Sequence, residues 1–583
     1  MYFKQLGIIY QQLKTRVMVL PLVNLCAKEV VSDHSSSPGW LCCVPRELYR
    51  PLLEAAFTNC RPLAVGELVQ RWPERTLRAG GRRQGQSPPN RLCVQALLLA
   101  VVRGLSDKRC VLQVLDLCGL QCEEGGVGDP MGGWSLTVAL CTMVVQARAA
   151  AQRALGREGE QERKRVLAME RERDVVKRER GGGLEEGEGG GLLVESVRKE
   201  KEETLGCLRE DQQVKGVRRR MEMERRKESA PVAGLAGGKV GEGEAVSEVD
   251  SEVVVCVRAD LFVNARSWER VRAALGTTGP LKLQCRYVRV EELSVSSIGS
   301  LLDLLPRHVL LGVDIRYSCL GVAGLALLLP KLSMFPMLSS LRLHYCNLDI
   351  RRDMAGQEGA MKDISQGLGK LSQLRRLSLT ALRLPGHLRM LLSSFPQPLE
   401  VLELPYLSLT PADLSYLSCS PHASSLQQLD LSENRLDESA LPSVRRLLSQ
   451  ASSCLMQLSL SGCGLTDGLL VAMLPSLSCC RGLKSLCLAL NPLSLAGLLD
   501  LVRMAVRMPS LRQLLYPNPL EDYQPGLPPM PSSAQLLDWP LDELVEVHEA
   551  TSLQLDRVVM ESGRSDLFLT CDLLNYNKDL VEQ

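Results

Sequence analysis

Aromatic residues are scarce in this sequence: six Phe, eleven Tyr and five Trp make up 4% of 583 residues. A core must therefore be built from aliphatic side chains, and the chain is long enough to bury a large one. Spacings that carry chemistry are also missing. There is no GxxxxGK[ST] phosphate loop, no HExxH helix, no GxSxG elbow and no kinase signature set. GGGLEEGEGGG (181–191) has glycines but no flanking strand and helix, so it reads as a linker. The six histidines are dispersed, and the 21 cysteines form no CxxC pair and no Cys/His grouping with zinc-finger spacing. No catalytic residue, metal or cofactor is expected. No N-x-S/T sequon occurs; with scattered, odd-numbered thiols this favours a reducing compartment, cytoplasmic or nuclear. No run reaches the roughly 18 apolar residues of a membrane helix. Val17–Ala27 follows Lys14 and Arg16 and has the outline of a signal-peptide core; an amphipathic or buried segment leading into the first domain is the preferred reading. A net charge of +2 gives no global argument for nucleic acid or acidic partners.

Leucine, in contrast, is abundant and periodic. LQQLDLSENRL places Leu426, Leu429 and Leu431, then Asn434, then Leu436 in the leucine-rich repeat pattern L-x-x-L-x-L-x-x-N/C-x-L. Leu429 and Leu431 alternate with Asp430, so a short strand points leucines inward and Asp430 outward. Asn434 turns inward, where its amide satisfies backbone groups that the bend leaves without sheet partners. The register recurs from Leu310, Leu338, Leu374, Leu399, Leu455, Leu483 and Leu511, in steps of 28, 36, 25, 27, 29, 28 and 28 residues. Cys463 stands at the asparagine position of one copy, as a small buried hydrophobe, and Asn491 restores the amide in the next. About 28 residues leave room for a strand, a turn and a full helix, so an α/β solenoid of the ribonuclease-inhibitor-like horseshoe type is expected.

Taken in order, residues 1–40 are a weakly patterned leader, and 41–145 read as a mostly helical N-terminal cap. In that cap VPRELYRPLLEAAF makes one or two short helices, with Pro51 suited to the first position of the second. VLQVLDLCGL (111–120) reads as an isolated repeat-like strand. From 146 to 252 the composition turns to Arg, Glu and Gly and cannot bury enough apolar surface to fold alone. This stretch reads as a disordered, solvated insertion, its first part able to form a salt-bridged helix. The solenoid occupies 253–517, with a polar loop at 351–363. Residues 518–583 close the far end with an amphipathic helix and a strand, DLFLTCDLL. Arg342, His344, Ser378, Thr380, Glu403, Asp430, Ser432, Ser459 and Ser461 fall on outward strand positions, a concave face suited to binding proteins over a broad area.

VPRELYRPLLEAAF, LVQRWP, VLQVLDL, LRLHYCNLD, SPHASSLQQLDLSENRL and LALNPLSLAGL together resemble the PRAME-like family. The resemblance implies a non-enzymatic substrate-recognition subunit of a cullin-2 ubiquitin ligase, recruited through elongins B and C. The elongin-binding box runs [small or Pro]-Leu-x-x-x-Cys/Ala-x-x-x-apolar on a helix. Pro51, Leu52, Ala56 and Cys60 fit it, with Leu52 entering the pocket of elongin C and alanine standing where cysteine is commoner. The resemblance also implies a second role, negative regulation of Toll-like receptor/NF-κB signalling by binding IκB kinase beta.

Overall fold

The computed structural model describes residues 22–32, 44–79, 90–105, 111–120, 133–181, 255–349, 357–542 and 545–573. These fall into two units, one of residues up to 151 and from 251 onward, the other of 152–250.

Among the described residues, the first unit is organised by one parallel sheet of 13 strands, each paired with its neighbours in chain order. The strands are β1 (Thr76–Arg78), β2 (Val114–Asp116), β3 (Val255–Asn264), β4 (Leu281–Glu291), β5 (Gly312–Arg316), β6 (Ser340–His344), β7 (Arg376–Thr380), β8 (Val401–Glu403), β9 (Gln428–Asp430), β10 (Gln457–Ser459), β11 (Ser485–Cys487), β12 (Gln513–Leu515) and β13 (Phe568–Thr570). From β3 onward a helix follows nearly every strand, and the leucines between the two layers form one continuous core. The chain is thus a leucine-rich repeat α/β solenoid. Leu426, Leu429, Leu431 and Leu436 are all buried there.

The sheet starts earlier than the repeat pattern suggests. VLQVLDL is not isolated: β2 pairs with β1 on one side and β3 on the other, so the cap adds two strands to the same sheet. β1 escapes periodicity because three residues carry only one inward leucine, Leu77. The cap's helices are α1 (Leu22–Ser32), α2 (Tyr49–Thr58), α3 (Pro62–Gln70) and α4 (Arg91–Gly104). α2 follows a 3₁₀ turn at Arg46–Leu48, so Pro51 sits at its third residue rather than its first. Like the first position, the third has no intrahelical acceptor for an N–H, which is why proline is tolerated there. α1 takes up the end of the Val17–Ala27 run and buries Ala27 and Val31 in the common core; residues 17–21 lie outside the described residues.

The charged stretch begins inside a helix. α5 (Gly133–Gly181) opens with Leu136, Leu140, Cys141, Met143, Val144 and Ala147 packed in the core. Helical structure therefore continues past 146, to 181. In the second unit, taken by itself, its described side chains from Gly156 to Arg171 are exposed and carry ion pairs such as Glu160–Lys164 and Glu162–Arg165. Such pairs at three- and four-residue spacing support a helix without a core. The remainder of the predicted insertion, 182–252, and residues 351–356 of the polar loop lie outside the described residues.

Strand β13 ends the sheet as DLFLTCDLL suggests, pairing Phe568, Leu569 and Thr570 with β12. Between β12 and β13, residues 520–542 fold back. Tyr523 donates to Leu536 O at 3.0 Å, Trp539 Nε1 to Gln524 O at 3.1 Å, and Ser533 Oγ to the Glu433 carboxylate of a much earlier repeat at 2.6 Å.

Candidate functional site

Asn434 shows how the repeats hold their faces fixed. It is 1% exposed; its Nδ2 donates to Leu404 O at 2.8 Å and Leu431 O at 2.9 Å, and its Oδ1 accepts from Leu409 N at 3.1 Å. Two of these partners belong to the preceding repeat, so the amide rivets neighbouring turns together. Asn491 repeats the arrangement with Leu460 O, Leu488 O and Leu465 N. Cys463 keeps one such contact, Sγ to Leu431 O at 3.3 Å, and its burial pushes the thiol far above the ordinary range.

Rigid turns place the outward residues in rows. Register sets Asp314, Arg342, Ser378, Glu403, Asp430, Ser459, Cys487 and Leu515 side by side across β5 to β12, with Arg316, His344 and Thr380 in the next row. All nine predicted face residues belong to these strands or the turns after them. Seven are half-buried, but Ser378 is 2% and Thr380 7% exposed. These two are not accessible face positions: both are short side chains, and the His344 ring lies against Ser378. His344 is not fully solvent-facing either. Its Nε2 lies 3.4 Å from Ser378 Oγ, and burial pulls its pKa down to about 4. A second histidine, His422, is structural: its ring accepts from Leu399 N at 3.1 Å, lies 3.2 Å from Leu392 O, and is also shifted down by burial.

Both histidines are neutral in the fold, whereas unfolded ones titrate near about 6.5. Below that pH the unfolded chain binds more protons, so the stability these rings contribute is present above about 6.5 and drains away as pH falls. Melting temperature should drop from pH 7 to pH 5, and the drop should shrink in His344→Gln. An identical pH profile for that variant would contradict the assignment.

The ends of the sheet face differ. At β4 and β5 the charges are paired within the strand, Arg289 with Glu291 at 2.5 Å and Arg316 with Asp314 at 2.8 Å. Around β8 and β9, Glu403 accepts from Gln428 at 3.0 Å and Glu433 from Ser533, both neutral donors. At β11 and β12 the outward residues are apolar, Cys487, Ala489 and Leu515, and form a small buried cluster separate from the main core.

Sequence reasoning missed the residue that precedes the asparagine position. In consecutive repeats it is Glu292, Tyr317, Tyr345, Ala381, Tyr406, Glu433, Gly462 and Leu490, always at positive φ. This left-handed residue turns its N–H toward the next repeat, as from Tyr317 to His344 O and from Tyr345 to Thr380 O, both at 3.0 Å. Gly462 adopts the conformation without strain, and an added Cβ there would collide with the Glu433 carboxylate. Aligning the repeats on their asparagine position exposes the recurring tyrosine.

The proposed elongin box is not laid open. Leu52 is 4% and Ala56 0% exposed, both in the main core cluster with α1 packed against α2. Pro51 is half-buried, and exposed Cys60 lies beyond the helix end, at a φ of 54°. Among the described residues no group of three or more His, Cys, Asp or Glu is placed to hold a metal, and no helix is long and apolar enough to cross a membrane.

The chain's similarities agree with this architecture. Residues 20–123 match the PRAME N-terminal domain and 277–527 the PRAME C-terminal domain. Leucine-rich repeat-containing protein 14 of Xenopus laevis is 33% identical over 578 residues, covering 95% of this chain and 97% of its own. The chain belongs to the PRAME family. Another member, leucine-rich repeat-containing protein 14 of Homo sapiens, is 38% identical over 334 residues, 57% of this chain and 67% of its own. Human PRAME family member 22 is 37% identical over 166 residues, 28% of this chain and 34% of its own. The leucine-rich repeat protein LegL7 of Legionella pneumophila aligns at 14% identity with a TM-score of 0.31, covering 55% of this chain and 94% of its own. PRAME-family membership and the repeat fold make this a protein suited to protein–protein interaction.

Proposed function

We propose that this PRAME-family chain is a non-enzymatic adaptor of the cytoplasm or nucleus. It holds a protein substrate on the outward face of its sheet and serves as the recognition subunit of a cullin-2/elongin BC ubiquitin ligase. The supporting observation is the ladder of rigidly spaced outward side chains from Asp314 to Ser459, joined to a helical cap that carries Pro51, Leu52, Ala56 and Cys60. Since Leu52 and Ala56 are buried in the cap, with Cys93 Sγ of α4 4.0 Å from Ala56 O and α1 packed against α2, elongin capture requires the cap helices around α2 to open.

The test is an affinity pull-down from cells, probed for elongin C, cullin-2 and IκB kinase beta. Three forms are compared: wild type, Leu52→Ser, and a chain lacking residues 1–32. Removing α1 should raise elongin C recovery several-fold, and Leu52→Ser should abolish it. Elongin recovery that ignores both changes would sink the box assignment. Because Leu52→Ser removes a core side chain and the deletion removes Ala27 and Val31, melting curves of both are recorded alongside, and a gain counts only where the deleted chain still melts cooperatively near wild type.

The burial of Leu52 and Ala56 favours a second reading, a scaffold that negatively regulates Toll-like receptor/NF-κB signalling by binding IκB kinase beta without ubiquitin machinery. Kinase recovered in all three samples, with elongin in none, is the outcome that selects it.

A further inference from the structure

Three of the left-handed residues described above are large aromatics. Tyr317, Tyr345 and Tyr406 hold φ of 50°, 54° and 59°, yet are 53%, 47% and 49% exposed. A tyrosine in this conformation is strained where glycine or asparagine would not be. The backbone bond from each N–H to the next repeat repays that strain, but it asks nothing of the side chain, and all three rings project from the core. The same turn is made with Ala381, Glu433 and Gly462, so large exposed aromatics at three of these positions point to a use on the surface. Tyr317 and Tyr345 stack at 5.3 Å with an interplanar angle of 12°, giving a flat aromatic platform. Tyr406 hydrogen bonds Glu433, and Glu403 stands on the adjoining strand end. That corner is acidic: Glu403 and Glu433 are held by neutral Gln428 and Ser533.

What fits such an edge is indicated by the chain itself. The proline-rich stretch QPGLPPMPSS (524–533) runs from its anchor at Leu520, whose N–H donates to Leu493 O at 2.9 Å, back to Glu433. Its anchors thus lie on the turns that follow β9 and β11, and Glu433 in the first of these bonds Tyr406. Within it Pro531 is buried, while Pro525 and Pro529 are exposed. The turns after β5 to β8 carry the tyrosines and are not reached by this stretch's anchors.

We infer that the tyrosine edge Tyr317–Tyr345–Tyr406 is a docking site for a proline-rich, extended segment of a partner protein. The segment's prolines lie on the stacked rings, and an Arg or Lys enters the corner formed by Tyr406, Glu403 and Glu433. Polyproline segments pair with aromatic surfaces because their conformation is already fixed and little entropy is lost on binding. A basic side chain gains both the carboxylates and the tyrosine face. Four strand spacings, from β5 to β9, cover about 19 Å, or about six residues of polyproline helix. This rests on the reading that the repeat face binds protein, and it names the chemistry of what binds.

The experiment is fluorescence anisotropy on the full chain with fluorescein-labelled Pro-Leu-Pro-Pro-Leu-Pro-Arg. Matched probes carry Glu for Arg or Ala for every Pro. Saturable binding of the first probe is expected, at least tenfold weaker for either matched probe. The doubly substituted Tyr317→Asn/Tyr345→Asn chain should lose at least tenfold in affinity while melting no lower than wild type, since asparagine tolerates the left-handed conformation. Glu403→Gln/Glu433→Gln should weaken binding and flatten its salt dependence. No binding to wild type, equal binding of the Glu probe, or unchanged affinity in the tyrosine variant would overturn the inference. Elongin C recovery in the tyrosine variant keeps the two readings apart: unchanged recovery with lost peptide binding is expected. Unchanged recovery with unchanged peptide binding removes this inference and leaves the adaptor reading standing.

Discussion

Asn434→Ala should cost the solenoid about 3 kcal/mol or more, a large loss for a residue outside any binding face. The estimate follows from two buried backbone groups, Leu404 O and Leu409 N, that lose their partner at once, at roughly 1–3 kcal/mol for each left unsatisfied, while Leu431 O keeps its bonds from the Asn434 backbone N–H and Cys463 Sγ. No water enters to replace the amide, because the position is 1% exposed and packed among leucines. Since the amide ties one repeat to the one before it, its removal weakens an interface as well as a turn, and stability in a repeat array is a sum of such interface terms. Asn434→Cys should lose clearly less. Cys463 and Cys346 already occupy the equivalent position, and each reaches a carbonyl of the preceding repeat at 3.3 Å. Urea unfolding followed by circular dichroism measures both variants, with Asn491→Ala expected to resemble Asn434→Ala. An alanine variant within about 0.5 kcal/mol of wild type would show that the amide does not rivet the repeats.

The repeat positions were legible in sequence because each one is a local bargain between burial and hydrogen bonding. Leu426, Leu429 and Leu431 alternate with outward polar residues, and an asparagine in an otherwise apolar run has few reasons to be buried other than capping backbone groups. The outward face was legible as a register but not as a surface. Ser378 and Thr380 stand in the same outward rows as Asp430 and His344, yet both are buried, Ser378 with the His344 ring from the strand before it against its hydroxyl. Such neighbours are 25 to 36 residues away in sequence, outside any periodic window. Similar distances hid β1, whose single buried leucine gains meaning only beside β2, and hid the burial of Leu52, which depends on how the cap helices pack around α2. Helix α5 went unrecognised in its full length because its first turns are apolar and the rest is charged, so neither composition rule describes the whole. The tyrosine edge was missed for another reason: attention to the leucines of each repeat passes over the position whose value lies in its backbone angle.

The far end of the array depends on one side chain in a way that invites a second large effect. The last repeat helix, α14 when numbered along the chain (Leu495–Val506), leaves carbonyls without intrahelical donors. Arg564 serves one of them and two carbonyls of the following turn: Nη1 donates to Val506 O at 3.1 Å and to Met508 O, which also accepts from Leu511 N, at 2.7 Å, and Nη2 to Leu511 O at 2.6 Å. Its Nε pairs with Asp566 at 2.8 Å, and Asp566 also pairs with Arg512 at the start of β12. One guanidinium therefore closes the last helix and fastens the strand that covers the sheet's final edge. Arg564→Ala should lower stability by about 2–4 kcal/mol, from orphaned carbonyls together with a broken charge pair. It should also free β13, exposing the unpaired groups of β12, and an open edge of this kind recruits other chains. Arg564→Lys should recover only part of the loss, because a single ammonium cannot serve three carbonyls and a carboxylate in the fork geometry of a guanidinium. Hydrogen exchange at Phe568–Thr570 reads the release of the strand directly, and light scattering at rising protein concentration reads the association that follows. If Arg564→Ala keeps wild-type protection at these amides and stays monodisperse, the far end is held by its leucines alone, and Leu567 becomes the residue to replace.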